Sequence, residues 1–252
     1  MKLALLILAF APIPSVRLNP QTVKEFNAYM EEADRSMNRR AMDKTRVSIP
    51  PDGEPRITSW EPDGPRGLTD GLVHDWVAAA FIPGAKAADV VAVLKDYGHY
   101  KEMYKPDLLD IRVISEKGDK RVVTMRTVKK KAMITVTLDI DYDVEYRAFP
   151  NGRVQVWSRS TSVREVENAG KPDETRSPTD RGSGFLWRLN TYWQMEDRDG
   201  GTYVEFRAIS LTRDIPLIAA WAVKPMVTAL PRESLTNTLN ATRAAVEARI
   251  KN

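Results

Sequence analysis

The sequence predicts an α+β fold in which a curved antiparallel sheet of about seven strands wraps around a long C-terminal helix, with a further helix near the N-terminus. Two observations support this prediction. Strand-like runs follow one another through residues 73–213, and turn residues separate most of them. Residues 216–250 are then predicted to be helical, because Leu235, Leu239 and Val246 recur on one side.

The clearest strand, residues 133–148, shows that one face of this sheet is covered. Apolar residues occupy every second position from Ile134 to Tyr146, and polar, mostly acidic residues alternate with them from Thr135 to Glu145. Side chains along a strand point alternately to the two faces of a sheet. One face of the sheet is therefore buried and the other wet, and the C-terminal helix supplies the cover.

The other strands are bounded by turn residues. Glu116–Asp119, Pro150–Gly152 and Asp197–Gly201 have the composition typical of hairpins. Two short helices are expected after the first strand, one around residues 87–97 and one ending before Pro106. The predicted strands cover residues 73–82, 109–116, 120–129, 133–148, 153–167, 184–196 and 202–213.

The first 18 residues are predicted to be a signal peptide. Met1-Lys2 precedes an apolar run from Leu3 to Pro12, which has the length of a signal-peptide core and is too short to span a bilayer as a helix. We therefore expect export to the periplasm or the extracellular space. A buried N-terminal segment of a cytoplasmic protein is the alternative, because no A-x-A cleavage triplet precedes a favourable residue.

Residues 19–45 are predicted to form an amphipathic helix that begins at Asn19-Pro20, a capping side chain followed by proline at the first helical position. The helix either packs on the main domain or binds a partner protein. Residues 46–70 are predicted to be a linker because of their many prolines and glycines, and residues 71–252 are predicted to be the ligand-binding domain. The apolar stripe of the helix consists of Val23, Phe26, Met30, Ala33, Met37 and Ala41.

From Gly71 onward, the order of elements and several stretches resemble the START-like (SRPBCC, helix-grip) superfamily. These stretches are FIPGAKAADVVAVLKDYGHYKEMYKP, GSGFLWRLNTYWQ, GGTYVEFRAISL and the IPLIAAW…PRESL entry to the last helix. They also resemble uncharacterised bacterial members of that superfamily. The resemblance implies a cavity between the sheet and the last helix that holds a lipid or another hydrophobic small molecule. Binding or transport of such a ligand is the expected function, and a cyclase- or hydrolase-type enzyme that uses the same pocket is the alternative.

The side chains expected to bind the ligand depend on which faces of the last two strands point inward. If the Asp197–Gly201 turn pairs Trp193 with Phe206, then Tyr192 faces Arg207 and Gln194 faces Glu205. The polar set forms either an exterior ladder of charges or an anion-holding group inside the pocket. The apolar candidates are Tyr142, Tyr146, Trp187, Leu189, Trp193, Phe206, Leu217 and Trp221, and the polar candidates are Arg188, Tyr192, Glu205 and Arg207.

Several kinds of chemistry find no support in the sequence. The chain has no cysteine, which excludes disulfides, thiol catalysis and iron–sulfur clusters. His74 and His99 have no partner at a catalytic spacing, and no nucleotide-binding or zinc-protease motif is present. We expect no cofactor, no metal and no nucleic-acid partner. The run Lys129–Lys131 could make transient contact with an anionic membrane, and the oligomeric state is not predicted.

Overall fold

The computed structural model describes residues 14–42, 55–61, 64–131, 134–214 and 217–251, and for residues 131, 134 and 217–230 it describes the backbone alone. The helices are α1 (Pro20–Met42), α2 (Ala87–Lys95), α3 (Tyr100–Met103, preceded by a 3₁₀ turn at Tyr97–His99) and α4 (Leu217–Lys251). The strands are β1 (Val16–Arg17), β2 (Arg56–Ser59), β3 (Arg66–Leu68), β4 (Gly71–Pro83), β5 (Leu108–Lys117), β6 (Lys120–Lys131), β7 (Ile134–Ala148), β8 (Val154–Glu167), β9 (Thr175–Arg176), β10 (Arg181–Gly182), β11 (Arg188–Arg198) and β12 (Gly201–Arg213).

The main sheet is antiparallel throughout, with the order β2-β4-β12-β11-β8-β7-β6-β5, and β3 and β9 add short pairings to β4 and β8. Its seven long strands are those that the sequence predicts. The β11–β12 hairpin pairs Trp193 with Phe206 and Tyr192 with Arg207, so the predicted register is confirmed. The sheet has ten strands rather than about seven, because three short strands extend it.

Both faces of the middle of this sheet are covered. Helices α2 and α4 lie on the inner face, where Val90 of α2 and Leu235 of α4 belong to one apolar core with Ile140 and Trp193 of the sheet. Helix α1 lies on the outer face, where Phe26 and Met30 pack against Trp157 and other side chains of the sheet. A curved antiparallel sheet closed around a long C-terminal helix is the helix-grip arrangement, as predicted.

Helix α1 begins as its sequence predicts. It starts at Pro20, and the side chain of Asn19 accepts a hydrogen bond from the backbone N–H of Gln21 at 2.9 Å, which caps the first turn. The stripe from Phe26 to Ala41 is buried against the outer face. Within the described residues, α1 is therefore a layer of the domain.

The described parts of the predicted signal peptide and linker also take part in the fold. Strand β1 pairs with β10, and Leu18 is 5% exposed in the outer-face core. Strands β2 and β3 lie within the predicted linker and both pair with β4. Residues 1–13 and 43–54 lie outside the described residues.

Helix α4 runs without a break through Pro225 and Pro231, so neither proline ends it. Its C-terminal half buries Leu235, Leu239 and Val246 against the inner face, as the predicted stripe requires. No helix within the described ranges is both long enough and apolar enough to cross a membrane.

Candidate functional site

A cavity of about 400 Å³ lies between the inner face of the sheet and the helices α2, α3 and α4. Its floor is the cavity-facing set of alternate residues on β7, β8, β11 and β12, and its roof comes from the short helices and the second half of α4. The walls are mainly apolar. Side chains that contribute to them include Leu94, Met103, Met125, Leu138, Ile140, Val144, Val156, Trp193, Phe206 and Leu235.

Five of the predicted apolar candidates line this cavity: Tyr142, Tyr146, Leu189, Trp193 and Phe206. The rings of Trp193 and Phe206 are stacked across the hairpin, with centroids 4.1 Å apart and an interplanar angle of 19°. The pair presents one flat aromatic surface to the interior. The sequence located these residues because strict alternation holds along β7, β11 and β12.

Trp187 requires a correction, because it lies on the outer face rather than in the cavity. It belongs to the core under α1 and is 3% exposed. The alternation used to place it begins only at Arg188, where β11 starts. The preceding residues are irregular, with a left-handed Gly184 (φ +84°), so Phe185 and Leu186 both line the cavity while Trp187 turns away.

The four polar candidates also require a correction, because none of them lines the cavity. Arg207 makes a two-pronged ion pair with Asp75 on the outer face, with Nε–Oδ1 and Nη2–Oδ2 distances of 2.9 and 2.6 Å. Its guanidinium stacks on Trp60, 3.7 Å from the ring centroid. Arg207 is 2% exposed, so it is not part of an exterior ladder, and it does not line the cavity between the sheet and α4.

The other three polar candidates have partners on the same side. The Tyr192 hydroxyl donates to Asp34 on α1 at 2.5 Å. Arg40, also on α1, donates to Glu205 at 2.6 Å. Arg188 pairs with Asp180 at 2.7 Å. For Tyr192 and Glu205 the missing information was the helix itself, which supplies charged partners more than a hundred residues away in sequence. The side chains of Leu217 and Trp221 lie outside the described residues.

The tyrosines of the cavity differ in whether their hydroxyls already have partners. The hydroxyl oxygens of Tyr97 and Tyr146 are 2.8 Å apart, and the Tyr146 hydroxyl donates to the backbone carbonyl of Leu94 at 2.8 Å. Tyr100 donates to the same carbonyl at 2.6 Å, and the Tyr104 hydroxyl is 2.8 Å from Thr242 Oγ1.

Tyr142 differs from these four tyrosines. It is 6% exposed and lines the cavity, and burial raises the pKa of its hydroxyl. No described residue accepts or donates a hydrogen bond at that oxygen. The oxygen is also not enclosed by packed protein. It is therefore open to the cavity.

The charged groups of the lining gather at its mouth. Lys129 pairs with Asp107, and these side chains are 28% and 33% exposed. Lys105 pairs with Glu102 at 2.7 Å. Among the lining side chains that the structure describes, the charged ones are Lys105, Asp107 and Lys129. Leu94, Met103, Lys105 and Met125 were not among the sequence candidates, because the sequence gives no reason to single out one face of the short helices or of β6.

His74 lies on β4, beside the cavity-lining residues of β12. Its Nε2 is 3.1 Å from Thr212 Oγ1, and Thr212 lines the cavity. His74 is 1% exposed, and burial lowers its pKa to about 4, so the ring is neutral near pH 7. Its Nδ1 has no hydrogen-bond partner among the described residues.

The acidic face of β7 is held by arginines. Asp139 accepts hydrogen bonds from Arg126 at 2.7 Å and from Arg176 at 2.6 Å. Asp141 accepts from Arg164 at 3.0 Å. Within the described ranges, no cluster of His, Asp or Glu has the arrangement of a metal site.

No protein-family model matches the sequence, and no curated protein matches it. Several solved structures are similar in backbone. A STAR-related lipid transfer protein from Xanthomonas axonopodis is 19% identical, covers 72% of this chain and 96% of its own length, and has a TM-score of 0.46. The Zhui aromatase/cyclase from a Streptomyces species is 16% identical, with 71% and 96% covered and a TM-score of 0.46.

The lipid transfer and protein localization domain of human StarD13 is 9% identical, with 92% of this chain and 98% of that domain covered and a TM-score of 0.49. At identities this low, the similarity extends no further than the arrangement of helices and strands.

Proposed function

We propose that this protein binds a lipid or another hydrophobic small molecule in the cavity between its sheet and α4, and carries or senses that molecule. The observation that supports the proposal most directly is the cavity itself. Its volume of about 400 Å³ lies in the range of small-molecule sites. Apolar and aromatic side chains form most of its wall, so an apolar ligand that enters it leaves water.

The described lining favours binding over catalysis. Its described part contains no histidine, and its Lys129 and Asp107 are paired with each other, with side chains 28% and 33% exposed. A general base within reach of a nucleophile is what an acyl-transfer or hydrolytic site requires. The cyclase or hydrolase alternative therefore has no specific observation in its favour.

The proposal is tested by blocking the cavity. Ala208 is a small residue of the cavity floor, and Ala208→Trp places a large ring where the ligand would lie. We expect the wild-type protein to bind the neutral fluorescent probe Nile red with saturation, and the variant to lose at least about tenfold in affinity. The matched control is Ala169→Trp in an exposed turn, which should bind the probe as the wild type does.

Circular dichroism and thermal unfolding verify that the variants fold. If Ala208→Trp does not fold, Ala208→Phe provides a smaller change at the same position. Failure of the wild type to bind the probe, or equal binding by the cavity variant and the control, would contradict the proposal. Native mass spectrometry of the purified protein identifies co-purifying molecules. Release of a bound lipid in chemically altered form would favour an enzyme instead.

We also infer that the protein is exported, on the basis of the apolar run Leu3–Pro12. Strand β1 and the buried Leu18 belong to the folded domain. The exported form is therefore expected to retain them and to be cleaved before Val16. N-terminal sequencing of protein recovered from the periplasmic fraction checks the position, and an uncleaved protein found only in the cytoplasm would contradict the inference.

A further inference from the structure

The cavity floor carries a small group of hydroxyls that the protein does not use. Ser158 and Thr191 are directly opposite each other on β8 and β11. Ser210 on β12 is opposite Leu189 of β11, and Leu189 is the next cavity-facing residue of β11 beside Thr191. Tyr142 on β7 is opposite Ser160 of β8, which is two residues along β8 from Ser158. A local bulge interrupts the β7–β8 pairing between Asp141 and Tyr142.

These four residues, Tyr142, Ser158, Thr191 and Ser210, are called the hydroxyl patch. All four line the cavity. They occupy two neighbouring rows of the sheet, in which strands are about 4.8 Å apart and alternate residues about 7 Å apart. A single bound molecule can therefore reach more than one of these hydroxyls.

The patch hydroxyls differ from those of the other four tyrosines around the cavity. The hydroxyls of Tyr97, Tyr100, Tyr104 and Tyr146 all have protein partners at 2.6–2.8 Å. None of the four patch hydroxyls has a partner among the described residues. Tyr142 and Ser210 are 6% and 7% exposed, so they are buried and face the cavity. Buried polar groups in folded proteins normally find a partner, and the available one here is a ligand or ordered water.

The charges of the lining restrict what that ligand can be. The walls beside the patch carry no charged side chain among the described residues, and the lysines of the mouth are paired with acids. An anion at the patch would lose its hydration without gaining a counter-ion, which is costly. A neutral hydroxyl or carbonyl group would gain hydrogen bonds without that cost.

We propose that the hydroxyl patch recognises a neutral alcohol or carbonyl group on an otherwise apolar ligand. This inference rests on the proposed function and narrows its ligand from any hydrophobic molecule to a neutral, oxygen-bearing one. Tyr142 is the contact to test first, because its hydroxyl is buried, lines the cavity and can both donate and accept. Ser158 on β8, Thr191 on β11 and Ser210 on β12, which is three strands from β7, provide further donors and acceptors.

The test compares three bicyclic probes in displacement of Nile red: naphthol, fluoronaphthalene of the same ring position, and naphthoate. Comparing the effect of one substitution on two probes cancels their different hydrophobicities. We expect Tyr142→Phe to lower the affinity for naphthol by about 3- to 10-fold relative to the affinity for fluoronaphthalene, which is the range for one neutral hydrogen bond. Naphthoate is expected to bind the wild type more weakly than naphthol.

The matched control is Tyr203→Phe. It removes a tyrosine hydroxyl that does not line the cavity and that donates to Asp199 at 3.0 Å, so the naphthol-to-fluoronaphthalene ratio should stay within about twofold of the wild type. Thr191→Val and Ser210→Ala test the patch a second time with the same affinity ratio. This test does not depend on whether Tyr142→Phe folds. Thermal unfolding of each variant separates loss of binding from loss of structure.

The outcomes distinguish this inference from the proposed function. If Nile red binds and Ala208→Trp blocks it, but none of the patch variants changes the ratio, the cavity binds ligand and the hydroxyl patch does not recognise it. Tighter binding of naphthoate than of naphthol would likewise overturn the preference for a neutral ligand. If Nile red does not bind the folded wild type, the proposed function fails and this inference fails with it.

Discussion

The buried histidine on β4 makes the stability of the fold depend on pH between neutrality and mild acid. Burial lowers the pKa of His74 to about 4, whereas a histidine in an unfolded chain titrates near about 6.5. Between these values the unfolded chain binds a proton that the folded chain excludes. The stability that neutral His74 provides is fully present above the pKa of the unfolded chain. It is lost as the pH falls from that pKa through the pKa of the folded chain.

The size of the effect follows from the two pKa values. Lowering the pH from about 7 to about 5 should reduce the free energy of unfolding by about 2 kcal/mol through His74 alone, for a folded pKa of about 4. Urea unfolding followed by tryptophan fluorescence at the two pH values measures this change. His74→Asn replaces the ring by a neutral polar side chain that does not titrate. The variant should therefore lose about 2 kcal/mol less than the wild type over the same interval.

His99 supplies the control for that measurement, because it is exposed, with 77% of its side chain accessible, and pairs only with Asp96. His99→Asn makes the same substitution at this exposed site and checks that the effect is specific to His74. Equal loss of stability by His74→Asn and the wild type would refute the reasoning. The pH dependence would then come from carboxylates and not from the buried ring.

Two further predictions concern the outer face and the entry to β11. Arg207→Met leaves the carboxylate of Asp75 buried without its partner, and it should cost about 3–5 kcal/mol in urea unfolding. Adding Asp75→Leu should recover most of that loss, since replacing a whole buried ion pair by apolar side chains is often neutral, and a double variant as unstable as the single one would contradict this account. Gly184→Ala places a Cβ 2.5 Å from Cβ of Arg213 at φ +84°, and should cost about 1–3 kcal/mol more than Gly170→Ala. Gly170 has φ +77° but open space around it, so equal thermal destabilisation of the two glycine variants would show that the close contact is relieved elsewhere.

The strands and the register could be predicted because they depend on local patterns. Alternation along β7 gives the inward set, and the Asp197–Gly201 turn fixes which residues of β11 and β12 are opposite each other. The start of α1 depends on Asn19-Pro20, which is equally local. Each of these signals lies within one element or one hairpin, and so could be read without knowing the tertiary structure.

The surroundings of the polar face of β11 and β12 could not be predicted in the same way. Alternating polar and apolar residues normally separate a wet face from a buried one. Here Tyr192 on one face and Trp193 on the other are 2% and 5% exposed, so both faces are buried. What makes this possible is the pairing of Glu205 with Arg40, which are 165 residues apart in the sequence. Nothing in the strands themselves indicates that distant partner.

The same alternation couples the two faces, so the charged pairs under α1 determine which side chains line the cavity. A slip of β12 by one residue would turn Arg207 toward the cavity and Phe206 toward α1. Arg207 would leave Asp75 without its partner and would itself lie against apolar walls, and each buried unpaired charge is costly. The stacked pair of Phe206 with Trp193, at 4.1 Å, would be lost as well. The ion pairs do not line the cavity, but they penalise the one-residue slip that would place charged side chains in its apolar wall.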